Sequence, residues 1–236
     1  MAPSNYSILP IDTFDVATLV EFLYSLKSTL AFNRAVFKNW PNEAAQKALY
    51  RATIENTLAP TSATESLKAV DDETGEIIGY VAVSRERPTQ DSSTEQQQKQ
   101  HLNAEGTKVD GDRGQEQEQP EEELSAFHLE VYAAAVKACL ELQRGVEMCD
   151  HFEITYVGVK PSCRNRGIGA KLVHECFDRA RKAGIPLTLN AEPEAVDFYL
   201  KLGFKETGYA DVDLARWMAP NSGFGNFRWT GMIWYP

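Results

Sequence analysis

Residues 157–170 read Val157-Gly158-Val159-Lys160-Pro161-Ser162-Cys163-Arg164-Asn165-Arg166-Gly167-Ile168-Gly169-Ala170. The β-branched residues at the start suit a buried strand, and from Gly169 onward the apolar spacing predicts an amphipathic helix. The two glycines of the turn lack the Cβ atoms that would keep an anion away from the backbone. Because the first N–H groups of a helix have no intrahelical partner and lie at its positive end, this turn predicts a pyrophosphate site.

The spacing Arg164-x-x-Gly167-x-Gly169 resembles the acetyl-CoA signature of the GNAT N-acetyltransferase superfamily. A second block resembles that family's late strand, helix and Phe-Tyr…Gly-Phe ending. It runs Asn190-Ala191-Glu192-Pro193-Glu194-Ala195-Val196-Asp197-Phe198-Tyr199-Leu200-Lys201-Leu202-Gly203-Phe204. A Gly-x-Gly turn alone also serves strand-to-helix connections that bind nothing, so the identification depends on the two blocks together.

The resemblance implies an α/β fold, the GNAT fold, in which a mixed twisted sheet is flanked by helices. It implies acetyl-CoA as cosubstrate and no metal. The pyrophosphate would bind the amides of the turn, and pantetheine the free edge of the preceding strand, where the Val157 N–H occupies the position that binds the thioester oxygen. The cofactor-binding residues so implied are Val157, Val159, Arg164, Asn165, Arg166, Gly167, Ile168, Gly169 and Ala170.

Two residues are candidates for catalysis. Tyr199 matches the tyrosine that many GNAT enzymes use as general acid. A phenol with a pKa of about 10 can protonate a thiolate whose conjugate acid has a pKa of about 8.5. Glu153 lies eleven residues before Arg164, close to the catalytic glutamate of histone-acetylating members. Packing beside Phe198 is the alternative for Tyr199, and an exposed strand position the alternative for Glu153. The family's frequent Asn at the start of the late helix is here Glu192, which puts that contact with pantetheine in doubt.

Length and composition predict one domain over residues 1–236, since 236 residues with 43% hydrophobic content can bury a sizeable core. The net charge of −10 is concentrated in residues 88–123, where ten acidic residues stand against three basic ones. That segment has no aromatic residue, so we expect a disordered acidic insertion there. The remainder has a charge near −3 by difference and offers no basic surface for nucleic acid.

Neither a leader nor a membrane span is expected from the sequence. The first six residues have no basic segment followed by an apolar one, and no run of 18 apolar residues occurs. The spacing of the four cysteines does not fit a Cys-x-x-Cys metal site, so they are expected to be free thiols. We therefore expect a cytoplasmic protein, with a nuclear location left open.

Periodicity and turn signals predict alternating strands and helices. The connection from Leu30 to Pro41 is rich in aromatic residues, and Phe32, Phe37 and Trp40 are expected either to pack between helices or to line a substrate pocket. The predicted strands are 6–10, 65–70, 76–84, 152–159, 185–191, 204–214 and 225–235, and the predicted helices are 13–28, 43–58, 125–146, 169–183 and 192–202.

The helix predicted at 125–146 departs from compact GNAT members, which have a short hairpin there, and resembles the arylalkylamine-type and fungal small-molecule branches. The resemblance therefore implies acetyl transfer from acetyl-CoA to a primary amine of a small molecule, by direct attack in a ternary complex. A protein lysine or N-terminal acetyltransferase and a noncatalytic acyl-CoA-binding regulator are the alternatives. The oligomeric state is left open.

Overall fold

The computed structural model describes residues 5–88 and 126–236. The strands in these residues form one seven-stranded sheet with the order β1-β2-β3-β4-β5-β7-β6. Its neighbours are antiparallel except for the β4–β5 pair, which is parallel. The mixed sheet predicted from the sequence is thereby confirmed. The strands are β1 (Tyr6–Pro10), β2 (Thr64–Asp71), β3 (Ile77–Glu86), β4 (His151–Val159), β5 (Leu187–Ala191), β6 (Lys205–Asp213) and β7 (Asn226–Trp234).

Helices cover both faces of this sheet. Short 3₁₀ turns lead into the first and the last of them, at Thr13–Asp15 and Pro193–Ala195. The α-helices of the described residues are α1 (Val16–Lys27), α2 (Ala31–Val36), α3 (Glu43–Leu58), α4 (Leu129–Gln143), α5 (Ile168–Ala183) and α6 (Val196–Lys201).

The alternation of side chains along β3 shows how the two layers form. Val81 and Val83 pack with α5 in one core cluster, whereas Tyr80 and Ala82 pack with α1 and α3 in a second. A third cluster lies under α2 and α4, against β6 and β7. The strand is apolar on both sides because both of its faces are covered.

The sequence located these elements to within a few residues, with two differences. It missed α2, whose six residues are too few to show a helical period. The helix expected over 125–146 spans Leu129–Gln143, and turns follow it through Arg144 and Gly145. The acidic insertion expected at 88–123 lies outside the described residues apart from Pro88.

The sheet opens between β4 and β5. Only two residue pairs join these strands, Phe152 with Leu187 and Glu153 with Thr188. Just beyond them, the pairing of β4 with β3 shifts register, which leaves Thr155 as an extra residue. Because a β-bulge increases local twist and bends the strand, β4 turns away from β5 here. We call the resulting gap the sheet split.

Candidate active site

A backbone cradle forms at the start of α5. Gly167 is the N-cap of the helix, with φ +81°, and Asn165 also has a positive φ of +62°. No side chain caps this helix end, so the first-turn N–H groups point outward without an intrahelical partner. A Cβ placed on Gly167 would meet no atom within 4 Å, which means that this position borders open space.

A glycine in the sheet sets the position of the cradle. A Cβ on Gly79 of β3 would lie 3.0 Å from both the Ile168 Cγ2 and the Leu172 Cδ1 atoms. The missing side chain therefore lets the first turn of α5 lie directly against the sheet. Gly79 could not be singled out from the sequence, because nothing local distinguishes it from other strand glycines.

Two arginines flank the cradle and are exposed to solvent. The Arg164 Nε atom lies 3.5 Å from the Val159 carbonyl oxygen, and an Arg166 nitrogen lies 3.9 Å from the Asp71 carboxylate. Both contacts are long, and exposed ion pairs contribute little to stability. Both guanidinium groups are therefore positioned to add positive charge beside the free amides.

Two amides of β4 face the sheet split. The Lys160 N–H donates to the Ile78 carbonyl at 2.9 Å, and residues of an antiparallel pair alternate between bonded and non-bonded positions. Val159 and Val157 pair with Gly79 and Val81, and this alternation puts both pairs at non-bonded positions. Their N–H groups therefore point away from β3, toward the open side.

Tyr199, on α6, packs in the core cluster on the α5 face of the sheet. It is 7% exposed, and its ring packs edge-on against Phe198 and Phe204 with centroids 5.0 Å and 5.5 Å away. Its hydroxyl has no hydrogen-bond partner in the described residues, where no fully buried side-chain polar atom lacks one. The hydroxyl therefore reaches accessible space.

Burial raises the pKa of Tyr199 well above its usual value, and the charge of Glu192 adds to that rise. The phenol therefore stays protonated across neutral pH and serves best as a hydrogen-bond donor. Full transfer of its proton to a thiolate would require another proton to replace it at the same time.

Glu153 lies on the opposite face, below the split. The Gln143 Nε2 atom of α4 donates to its carboxylate at 2.8 Å. A small pocket of about 110 Å³ lies beside it, and Asn190 and Thr207 are among the lining residues. Glu153 is four residues before Val157, a distance of about 13 Å along the strand, so contact between the two regions would need a chain of bridging waters.

Glu192 follows the last residue of β5 and is half-buried. Its negative charge raises the pKa of Tyr156 on one face of the sheet and the pKa of Tyr199 on the other, in each case after the larger effect of burial. Because β5 pairs with β4 only at Leu187 and Thr188, Glu192 follows a strand end that has left the β4 ladder, on the open side of the split. The sequence offered one signal for it, the departure from the family's Asn.

Other polar residues do not gather at this site. Asp211 is held by Arg228 in two hydrogen bonds of 2.7 Å and 2.8 Å, and Asp213 caps the 3₁₀ turn after β6. His174 is exposed, and Cys163 is buried. Within residues 5–88 and 126–236, no group of three or more His, Cys, Asp and Glu side chains could hold a metal ion.

A larger depression of about 370 Å³ lies between α1 and α3 around Phe14, and none of the predicted site residues lines it.

Among the helices described, none combines the length and apolar character needed to cross a bilayer.

Comparisons with known proteins give a family match and similar folds. A family model described as the acetyltransferase (GNAT) domain matches residues 111–213. No curated protein sequence gives a significant match.

Among solved structures, the fold is similar to that of arylalkylamine N-acetyltransferase 2 from Aedes aegypti, with a TM-score of 0.61 and 12% identity over 98% of this chain and 99% of that one. It is similar to the polyamine N-acetyltransferase of Drosophila melanogaster, with the same TM-score of 0.61 and 12% identity over 98% and 100% of the two chains. The histone acetyltransferase HPA2-related protein of Corynebacterium glutamicum ATCC 13032 matches with a TM-score of 0.57 and 20% identity over 98% and 97%.

Proposed function

We propose that this chain, which carries a GNAT acetyltransferase domain, is an N-acetyltransferase that transfers the acetyl group of acetyl-CoA to a primary amine of a small molecule. The observation that carries the proposal is the continuity of two backbone surfaces. The free amides of the α5 N-terminus adjoin the free β4 edge at Val157 and Val159. A pyrophosphate with a long amide-bearing arm has the shape and hydrogen-bonding groups for that combined surface.

The residues present fit acetyl-CoA. Gly167 borders open space where a Cβ would stand, and a Cβ on Gly169 would only touch the Phe198 ring at 3.4 Å. In the proposal, the amides from Arg164 to Ala170 hold the pyrophosphate, with charge added by Arg164 and Arg166. When bound, acetyl-CoA supplies an activated acetyl group as a thioester.

The chain's own residues then have distinct roles. The Val157 N–H donates to the thioester oxygen, where negative charge develops during attack. The Tyr199 hydroxyl donates a hydrogen bond toward the sulfur position. Glu153 is a candidate general base, and since it lies about 13 Å along the strand from Val157, it would act through water.

The third core cluster supports a small acceptor. Helix α2 packs against β7 through Phe32, whose ring centroid lies 4.9 Å from that of Trp229. Phe37 is buried against Phe127, with centroids 4.8 Å apart. In the proposal, this aromatic cluster against β7 forms one wall of the acceptor site and favours a small amine over a folded protein.

Two further features support the setting of this activity. One sheet holds the seven described strands, which suits a single catalytic domain. Within the described residues no disulfide joins any of the four cysteines, which suits the reducing cytoplasm.

The test is release of free thiol from acetyl-CoA in the presence of tyramine, agmatine, a lysine-containing peptide or a peptide with a free N-terminus. We expect release with at least one small amine and a lower kcat/KM with either peptide. Faster turnover of a peptide would establish the protein-acetyltransferase alternative. Binding of acetyl-CoA by calorimetry without thiol release from any acceptor would instead indicate a noncatalytic regulator.

A further inference from the structure

We propose that Glu192 binds the ammonium group of the acceptor at the sheet split and accepts its proton, the role for which Glu153 is the other candidate. This assignment rests on the proposed function. It begins from an unpartnered carboxylate. Within the described residues, the Glu192 side chain forms no hydrogen bond and no ion pair, and it does not cap the 3₁₀ turn that follows it.

A half-buried carboxylate without a partner is unfavourable for the free protein. Removing the ionised group from water costs free energy unless hydrogen bonds or an opposite charge replace the lost hydration. Burial accordingly raises the pKa of Glu192. A cationic group that reached the split would supply the missing partner, and the acceptor's ammonium is such a group.

The surroundings of Glu192 suit an amine rather than a metal ion. Tyr156 packs against Tyr80 on the α1 face, with ring centroids 5.6 Å apart, and Tyr199 lies on the α5 face. Neither the Tyr156 nor the Tyr199 hydroxyl has a hydrogen-bond partner in the part of the chain that the structure describes. A carboxylate whose charge acts on both phenols offers, together with them, hydrogen-bond acceptors and ring faces to an ammonium.

Charged groups from each neighbouring element act on this carboxylate. The Lys27 ammonium, at the end of α1, lies 5.2 Å from the Tyr156 ring centroid and lowers the pKa of Glu192. Glu194, on the adjoining 3₁₀ turn, raises that pKa. The charge of Glu192 in turn raises the pKa of Tyr156 on β4 and of Tyr199 on α6.

The proton balance of the transfer then closes. Glu192 takes one proton from the ammonium, and the amine nitrogen forms its bond to the acetyl carbon as the carbon–sulfur bond breaks and leaves its electron pair on sulfur. The nitrogen's second proton reaches the sulfur with the Tyr199 hydroxyl as donor and relay. The products are the N-acetyl amide, the CoA thiol and one proton, which Glu192 releases to solvent.

Glu192 is favoured over Glu153 by position and by partners. Glu153 already accepts a hydrogen bond from Gln143, and its place on β4 is about 13 Å from the Val157 amide along the strand. Glu192 follows the part of β5 that no longer pairs with β4, and its charge acts on Tyr199, the tyrosine proposed to face the sulfur. A base whose pKa is raised toward working pH is also the more effective proton acceptor.

The experiment compares pH profiles of kcat/KM for tyramine, from about pH 5 to 10, in the wild type, Glu192→Gln and Glu153→Gln. We expect Glu192→Gln to lose at least about 100-fold in kcat/KM and to lose the acidic limb. Its Kd for acetyl-CoA should stay within about twofold of the wild type. A much weaker acetyl-CoA affinity with an unchanged acidic limb would overturn the proposal, because it would mean that Glu192 contacts pantetheine.

Two neighbouring substitutions provide a test of sign. Lys27→Gln removes a charge that lowers the pKa of Glu192, so the acidic limb should move to higher pH. Glu194→Gln is the matched control, a second glutamate two residues away, and the limb should move slightly lower because Glu194 raises that pKa. Shifts in the opposite directions, or none from either, would assign the acidic limb to another group.

A readout without turnover comes from the ligand-free protein. A carboxyl whose folded pKa is raised stabilises the fold fully below its unfolded pKa of about 4.3 and loses that contribution as pH rises through the folded value. We therefore expect Glu192→Gln to melt higher than the wild type near neutral pH, with a smaller difference near pH 4. A lower melting temperature at neutral pH would show that Glu192 has a stabilising partner and would refute the assignment. Absence of thiol release from the wild type would overturn both proposals, whereas activity retained in Glu192→Gln would overturn this one alone.

Discussion

Replacing Gly167 by alanine tests the phosphate cradle, and the same helix supplies its control. Gly167 and Gly184 stand at the two ends of α5 with φ of +81° and +67°, and a Cβ at either position would meet no atom within 4 Å. Alanine in this left-handed conformation costs about 1 kcal/mol at each site. For a chain of this length, the melting temperature should fall by about 2–4 °C in both variants.

Only the Gly167→Ala methyl group would stand beside the amides proposed to hold the pyrophosphate. A methyl group there lengthens at least one hydrogen bond to a charged phosphate oxygen, and such bonds contribute about 1.5–3 kcal/mol each. The Kd for acetyl-CoA should therefore rise at least about tenfold, which corresponds to about 1.4 kcal/mol. Gly184→Ala lies about 24 Å away along the helix and should bind as the wild type does.

Titration calorimetry of the three proteins, together with their melting curves, measures both effects. Wild-type affinity in Gly167→Ala would refute the cradle. Equal weakening in both variants would show that binding follows helix stability rather than contact at the turn.

Three other outcomes are expected. Tyr199→Phe should keep the acetyl-CoA Kd and lower kcat by roughly 10- to 1000-fold, because the ring still packs but the donor toward sulfur is lost; unchanged turnover would reduce Tyr199 to a packing residue. Arg85 holds the pKa of Asp150 below its usual range. The pair therefore stabilises the fold above the unfolded Asp pKa of about 3.9, and this stabilisation is lost as pH falls through the folded pKa. Acid unfolding monitored by circular dichroism should accordingly begin at higher pH in Asp150→Asn. Burial raises the pKa of Cys176 to about 12. Brief iodoacetamide treatment at pH 8, followed by mass spectrometry, should therefore show label on exposed Cys149 and none on Cys176. Rapid labelling of Cys176 would contradict its burial.

The sequence predicted what depends on local pattern. Gly167 and the apolar stripe of α5 could be read directly, because turn glycines and a helical period are properties of neighbouring residues. Gly79 could not, since its role comes from Ile168 and Leu172, which approach it from a distant part of the chain. Burial likewise depends on the whole fold.

The direction of a strand amide depends on register with another strand. The Lys160 bond to Ile78 fixes which β4 amides face the gap, and no spacing within β4 contains that information. Glu192 illustrates the same limit. The sequence marked it as an unusual residue at a known position, but its lack of a hydrogen-bond partner among the described residues depends on the whole fold.

The brevity of the β4–β5 ladder also implies an order of events during turnover. The half-sheet β1–β4 and the half-sheet β5–β7 are joined by the two residue pairs between β4 and β5. A ligand whose amides bond along the free β4 edge continues the interrupted pairing and braces the two halves against each other. In the proposed function, both halves contribute to the surface that would receive the amine, and that surface would be completed only after the first ligand is seated. Steady-state kinetics should accordingly show compulsory order, with the thioester first on and the thiol last off.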